Sequence, residues 1–271
     1  MYELKYVKKR KTKFFVAISG GVATVVVSTF AIVSFLGRYV GTFTVSLDTG
    51  KVNLALSDSS EFKRKESFLR IDSLPAFHEY TRSSLPSNEE LDSEKNNYLF
   101  GATTEGDKTS LNFFKYTFFV RNVGSVAANY DLKIRMTDNK AGEDGRTLDD
   151  TLRTMLFETN LVTGEQKVTT YAKRAAVHHI DENGEVNFQE PISISPELAS
   201  ESEPFFGYAE IFESSNVITT WKPEAGLEIG ETRRYTIVNW LEGYDPQSNN
   251  YSAPPKGARL KIGVEINAYE N

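Results

Sequence analysis

Cysteine is absent from this chain, histidine occurs three times and tryptophan twice. Without cysteine no disulfide can brace the fold, and no thiol is available as a nucleophile. The histidines, His78, His178 and His179, form no H-E-x-x-H pattern, so the helical geometry of the common zinc hydrolases is missing. His178 and His179 are adjacent on an expected strand, which aims their side chains at opposite faces rather than at one metal. No G-x-S-x-G elbow marks a nucleophilic serine. The paired carboxylates Glu89-Glu90 and Asp149-Asp150 sit at expected helix starts, where anions stabilise the exposed amides. Nothing in the pattern points to an enzyme.

Charge is also missing from one long stretch. From Phe14 to Gly37 there is no ionisable residue, and a helix of roughly 20 such residues spans a hydrocarbon core. Seven Lys and Arg residues against the single acid Glu3 make residues 1–38 basic by +6, so residues 39–271 carry about −12 of the overall −6. The basic cluster precedes the apolar run, which places residues 1–13 in the cytoplasm, 14–37 in the membrane and 38–271 outside. Phe35-Leu36-Gly37-Arg38 is a poor cleavage sequence and the run is long for a signal peptide. An uncleaved single-pass anchor and a cleaved, secreted product both remain open. The acidic outer part is unsuited to nucleic acid, whose phosphates demand Lys and Arg.

What is abundant is aromatic and alternating sequence, with 18 Phe and 13 Tyr. Leu260, Ile262, Val264, Ile266 and Ala268 alternate with polar residues, as do Tyr130, Leu132, Ile134 and Met136. Phe113 to Arg121, followed by Asn122-Val123-Gly124-Ser125, reads as a strand and turn that form a hairpin with 130–136. Val45 to Asp48 and Val52 to Leu56 read as a second hairpin through Asp48-Thr49-Gly50. Asn183-Gly184 reads as a tight turn between 175–180 and 186–194, and Glu231 to Leu241 as one more strand. Seven or more strands describe an all-β antiparallel sandwich.

One short helix is expected, opening at Thr147-Leu148-Asp149-Asp150 with Leu148, Leu152, Met155 and Leu156 on one face. Residues 58–110 read as a long irregular insertion in which Ser87 can start a second short helix. No cofactor is expected. A loose calcium site in the acidic loop Asp138 to Gly145, or near Glu242 and Asp245, is the one exception left open, although Lys140 and Gly142 fall where an EF-hand needs oxygen ligands. Trp221 and Trp240 are candidates for stacking a sugar ring, with core or rim packing as the alternative. Self-association is expected to run through Gly41 to Asp48, where Phe43, Val45 and Leu47 alternate with polar residues. Pairing within its own domain is the alternative for that strand.

Three segments resemble the TasA/camelysin family of exported β-sandwich proteins of Gram-positive bacteria. They are Lys115-Tyr116-Thr117-Phe118-Phe119-Val120-Arg121-Asn122-Val123-Gly124-Ser125, Leu227-Glu228-Ile229-Gly230-Glu231-Thr232, and Gly257-Ala258-Arg259-Leu260-Lys261-Ile262. The resemblance implies a jelly-roll-like sandwich and a cell-surface structural or interaction protein, such as a biofilm matrix subunit, adhesin or envelope scaffold, with self-association or an envelope partner. A camelysin-like surface hydrolase and a glycan- or partner-binding module are the alternatives. In the resembled family an early strand is the kind of element one subunit lends to the next.

Overall fold

The structure, a computed structural model, describes residues 39–47, 51–63, 68–72, 76–77, 79–94, 98–102, 110–174, 179–180, 184, 186–187, 189–192, 206–245 and 255–270. The early strands are β1 (Tyr39–Leu47), β2 (Leu54–Ser57), β3 (Phe68–Asp72), β4 (Ala76–Phe77), β5 (Glu79–Tyr80) and β6 (Tyr98–Ala102). The long β7 (Ser110–Asn122) and β8 (Ala128–Lys140) follow, then β9 (Leu152–Asn160) and β10 (Gln166–Ala172). Short strands β11 (His179–Ile180), β12 (Val186–Asn187) and β13 (Glu190–Pro191) lead to β14 (Tyr208–Ile211), β15 (Val217–Trp221), β16 (Thr232–Glu242) and β17 (Arg259–Glu270). One α-helix, α1 (Asn88–Leu91), lies within the described residues.

Two sheets carry the fold. The smaller runs β15-β8-β17-β1-β3, and the larger runs β13-β14-β10-β9-β16-β7-β2, with β4 and β6 also on β7 and β5 also on β16. Alternation explains why they face each other. Tyr130, Leu132, Ile134 and Met136 from β8 and Val264, Ile266 and Ala268 from β17 are buried against Tyr116, Phe118 and Val120 of β7 and Tyr235 and Ile237 of β16. Phe114, Tyr116, Phe118 and Tyr235 form a run of stacked rings across that interior. Truncating a fully buried ring such as Phe118, 0% exposed, costs about 3–5 kcal/mol. The all-β sandwich with little helix is therefore the architecture of the described residues.

Strand neighbours differ from the sequence expectation in three places. β7 and β8 are not a hairpin, because they lie in different sheets. The Asn122–Ser125 corner arches the chain from one sheet to the other, so that two half-apolar strands meet face to face. Likewise β1 and β2 belong to different sheets, and β2 pairs with β7 through Leu54↔Asn122 to Ser57↔Phe119. Period-two alternation identifies a buried face but not which strand lies alongside. Nor is the sandwich purely antiparallel. β1 pairs in parallel with β17, and so does β10 with β14. β11 and β12, on either side of Asn183-Gly184 in the sequence, do pair antiparallel, over a shorter length than expected, with His179↔Asn187 and Ile180↔Val186 in register.

The helix expected from Thr147 shrinks to a single 3-10 turn, Leu148–Asp150. Its capping geometry is present, with the Thr147 N–H donating to Asp150 Oδ2 at 3.3 Å, but Leu152 already begins β9. That strand sits between β10 and β16 and is buried on both faces from Leu152 to Thr159. Continuous burial erases strand alternation and mimics a helical stripe.

The insertion is built rather than irregular. β4 and β6 pair with β7 and β5 pairs with β16, while Ser87 caps α1 by accepting from the Glu90 N–H at 3.2 Å. Leu85 and Leu91 then pack with Phe113, Met155, Phe157, Val238 and Trp240 in a second core on the outer face of the larger sheet. The expected membrane segment 14–37 lies outside the described residues, and among those described no helix is long and apolar enough to cross a membrane.

Candidate interaction site

On the outer side of the larger sheet the insertion covers β7, β16 and β9, and leaves β10 partly open. The boundary is a groove of about 390 Å³, within the range of about 300–1,000 Å³ usual for ligand pockets. Met155, Val168 and Thr170 line it from β9 and β10, Arg82 and Asn88 from the insertion, and Phe206, Tyr208 and Ile192 from the edge. Val168, Phe206 and Tyr208 are 38%, 37% and 40% exposed. Solvated apolar side chains gathered at one concavity are unusual on a soluble surface. Arg82 is fixed there, its guanidinium donating to Asn88 Oδ1 at 2.6 Å and lying 4.7 Å from the Phe206 ring centre.

Three buried carboxylates are each held by donors of the fold, two on the insertion side of the larger sheet and one inside the sandwich. Asp92, just after α1, accepts from Thr159 Oγ1 at 2.6 Å and Thr236 Oγ1 at 3.0 Å, and pairs with Arg234 at 2.7 Å. It thereby ties the insertion to β9 and β16. Lys115 is wholly buried beside it and donates to the Ser93 carbonyl at 2.7 Å. Burial pulls its ammonium down to about 8.

Glu242, also fully buried, accepts from Trp240 Nε1 at 2.9 Å, the Arg82 N–H at 3.2 Å and the Tyr244 N–H at 3.3 Å. Burial pushes its carboxyl up to about 7 against the opposing pull of Arg153. Arg153 itself pairs with Asp245 at 2.6 Å. Inside the sandwich, Glu158 accepts from Arg233 at 2.7 Å, Trp221 Nε1 at 2.9 Å and Tyr235 Oη at 3.1 Å. Tyr235 and Tyr130 share a 2.6 Å hydroxyl contact, and burial raises both phenols.

The residues singled out from sequence are dispersed. Phe43, Val45 and Leu47 lie on β1, in register with Val264, Ile266 and Ala268 of β17. β1 stands between β17 and β3, so it is an inner strand and not a sheet edge. Trp221 sits on β15 opposite Leu132, its indole N–H taken by Glu158, and Trp240 is 0% exposed in the outer core. His78 and His178 lie outside the described residues, and His179 begins β11.

The acidic loops meet cations of the chain itself: Asp144 pairs with Arg146, Glu143 with Lys256 and Asp138 with Arg259. Among the described residues no group of three or more His, Asp or Glu side chains is placed to hold a metal ion. Sequence reasoning missed Arg82, Val168, Phe206 and Tyr208, which come from three separate segments. The only local signal was the pair Phe206 and Tyr208 at strand spacing. No protein-family model, curated protein or solved structure matches this chain.

Proposed function

We propose that this chain is a non-enzymatic interaction protein of the cell surface, held at the membrane by residues 14–37 and displaying a jelly-roll-like sandwich outside. The observation that carries the reading is the groove where Val168, Phe206 and Tyr208 stay solvated beside a fixed Arg82. A stable fold without cysteine has reason to bury such side chains, and leaving three of them at one concavity suits a surface that takes a partner. The charge step across 14–37 and the resemblance to TasA/camelysin proteins support the envelope setting. In the same reading, the matched carboxylates Asp92, Glu158 and Glu242 serve to fix the layers rather than to perform chemistry. The glycan-binding version of this function is favoured only by Phe206 and Tyr208, because Trp240 is enclosed.

The test is made on intact cells. Added protease should shave residues 39–271 while residues 1–13 stay protected, and cross-linking should attach the exposed domain to another envelope component. A domain digested only after lysis would overturn the topology, and a domain that is exposed but never cross-linked would overturn the interaction role.

A further inference from the structure

The groove has a backbone wall as well as side chains. β10 pairs with β9 over its whole length, from Gln166↔Thr159 to Ala172↔Arg153. β14 meets its other edge only at Tyr171↔Glu210 and Ala172↔Ile211. The phase of the ladder follows from two hydrogen bonds. Asn160 N–H donates to the Glu165 carbonyl at 2.9 Å, and Ala172 accepts from the Phe212 N–H at 2.9 Å. Odd-numbered residues of β10 therefore exchange bonds with β9, and even-numbered ones turn their N–H and C=O groups toward β14. At Gln166 and Val168 no described strand meets those groups. The exposure of β10 falls from its head to its buried end at Thr170–Ala172 in the same order.

The outer face of that open edge borders the cavity. Val168 and Thr170 line it from the outer face, while the Thr169 side chain turns to the other face, as a strand's alternation requires. A chain laid along β10 would place successive side chains alternately on the two sides of the edge, with Phe206, Ile192 and Tyr208 forming the far wall. Two of the sheet ends are guarded: β13 carries Pro191, and on β15 the Thr220 N–H is taken by Glu213.

Charge selects the occupant. Beside the head of β10, Lys167 pairs with Glu224 at 2.6 Å and Arg233 with Glu158 at 2.7 Å. The exposed Glu165 adds to an acidic balance there, with Glu231 sharing Arg233 at 3.9 Å, on a domain of about −12. A second copy of so acidic a domain is repelled, whereas a basic segment is attracted.

Resting on the interaction role proposed above, we infer that the open edge of β10 from Gln166 to Thr170 binds an extended peptide of a partner protein by strand addition, a peptide with small or branched apolar residues at alternate positions and a basic residue beside Glu165. Backbone bonds supply the affinity, and the Val168–Phe206–Tyr208 groove reads the side chains.

The experiment uses the full chain in detergent and a fluorescent seven-residue peptide of alternating valine and threonine led by arginine. Anisotropy should show saturable binding, and amide exchange should slow at Val168. N-methylation of alternate peptide amides, or exchange of arginine for glutamate, should weaken binding at least tenfold. Val168→Pro removes an N–H that points away from β9 and should abolish binding with the thermal melt retained. If that variant does not fold, Phe206→Ala with Tyr208→Ala should weaken binding tenfold instead. Equal binding of the N-methylated peptide, or binding untouched by either variant, overturns the proposal. So does self-association of the chain that Val168→Pro removes, which would make a second copy the occupant. Surface exposure in intact cells is read separately, so failure here leaves the cellular role standing.

Discussion

Asn122 donates through Nδ2 to the carbonyl of Leu227 at 3.0 Å, although 105 residues separate them. The same amide donates to the Val126 carbonyl at 2.8 Å, and Asn122 Oδ1 accepts from the Gly124 N–H at 2.9 Å. Backbone bonds add Gly230 N–H to the Asn122 carbonyl and Asn122 N–H to the Glu231 carbonyl, at 2.9 and 3.1 Å. Segments 115–125 and 227–232 are thus one physical unit, an arch between the sheets locked by the turn that launches β16. Gly124 is required by contact, since a Cβ there would lie 2.6 Å from the Lys51 carbonyl.

Asn122→Ala should therefore destabilise the domain by about 1–3 kcal/mol, because the bonds of a buried side-chain amide are lost, while the Leu227 carbonyl keeps the Ala128 N–H. Urea unfolding measures it. A change under about 0.5 kcal/mol, the size usual for a surface substitution, would show that the arch is held by packing alone.

Glu242 predicts a pH effect with a definite sign. Its folded carboxyl titrates near 7 because of burial, above the ordinary 4.5, so the folded state binds the proton more tightly than the unfolded chain. Stability from this group is full below about pH 4.5 and declines as pH rises to 7, by roughly 3 kcal/mol. Glu242→Gln should remove that decline. Melting curves of both proteins between pH 4.5 and 7.5 check it, and parallel slopes would contradict it.

Lys115 acts in the opposite direction at higher pH. Burial holds its folded ammonium near 8 against 10.5 unfolded, so the cost of keeping it charged is complete below pH 8 and fades toward pH 10.5. Wild-type stability should gain from this group across that window. Lys115→Met, which fills a similar volume, should lose the gain and be no less stable at pH 7. A large loss at pH 7 would mean that the bond to Ser93 outweighs the desolvation.

β1 follows directly on the apolar run and pairs along β17 from Gly41↔Ile262 to Leu47↔Ala268. A chain lacking residues 1–49 should lose cooperative unfolding and expose the β17 amides to exchange. A synthetic peptide of residues 39–49 should restore both, if β1 is a strand that can be supplied in trans. Unchanged unfolding of the truncated chain would show that β1 adds nothing to the sandwich.

Alternation in 130–136 and 260–268 made the strands of the smaller sheet legible, because burying one face imposes period two on the side chains. The Ser87 cap was legible too, since it depends on a hydroxyl and an amide three residues apart. β9 was not. Met155 and Phe157 serve an outer core completed by Leu85 and Leu91 of the insertion, Arg153 is buried in its pair with Asp245, and this second covered face removed the alternation. The groove escaped for a related reason: Arg82, Val168 and Phe206 come together through the docking of the insertion and the parting of β14 from β10, neither of which has a local signature.

By itself, the sequence determined an all-β fold without disulfides, the charge step around an apolar run of membrane length, and the positions of most strands. These are properties of composition and short-range periodicity, which act on each segment alone. Tertiary structure decided that β7 and β8 face each other instead of pairing, that the insertion is a layer, and that part of the β10 edge meets no strand among the described residues. Those outcomes depend on which distant surfaces bury one another, and burial is a property of the folded whole.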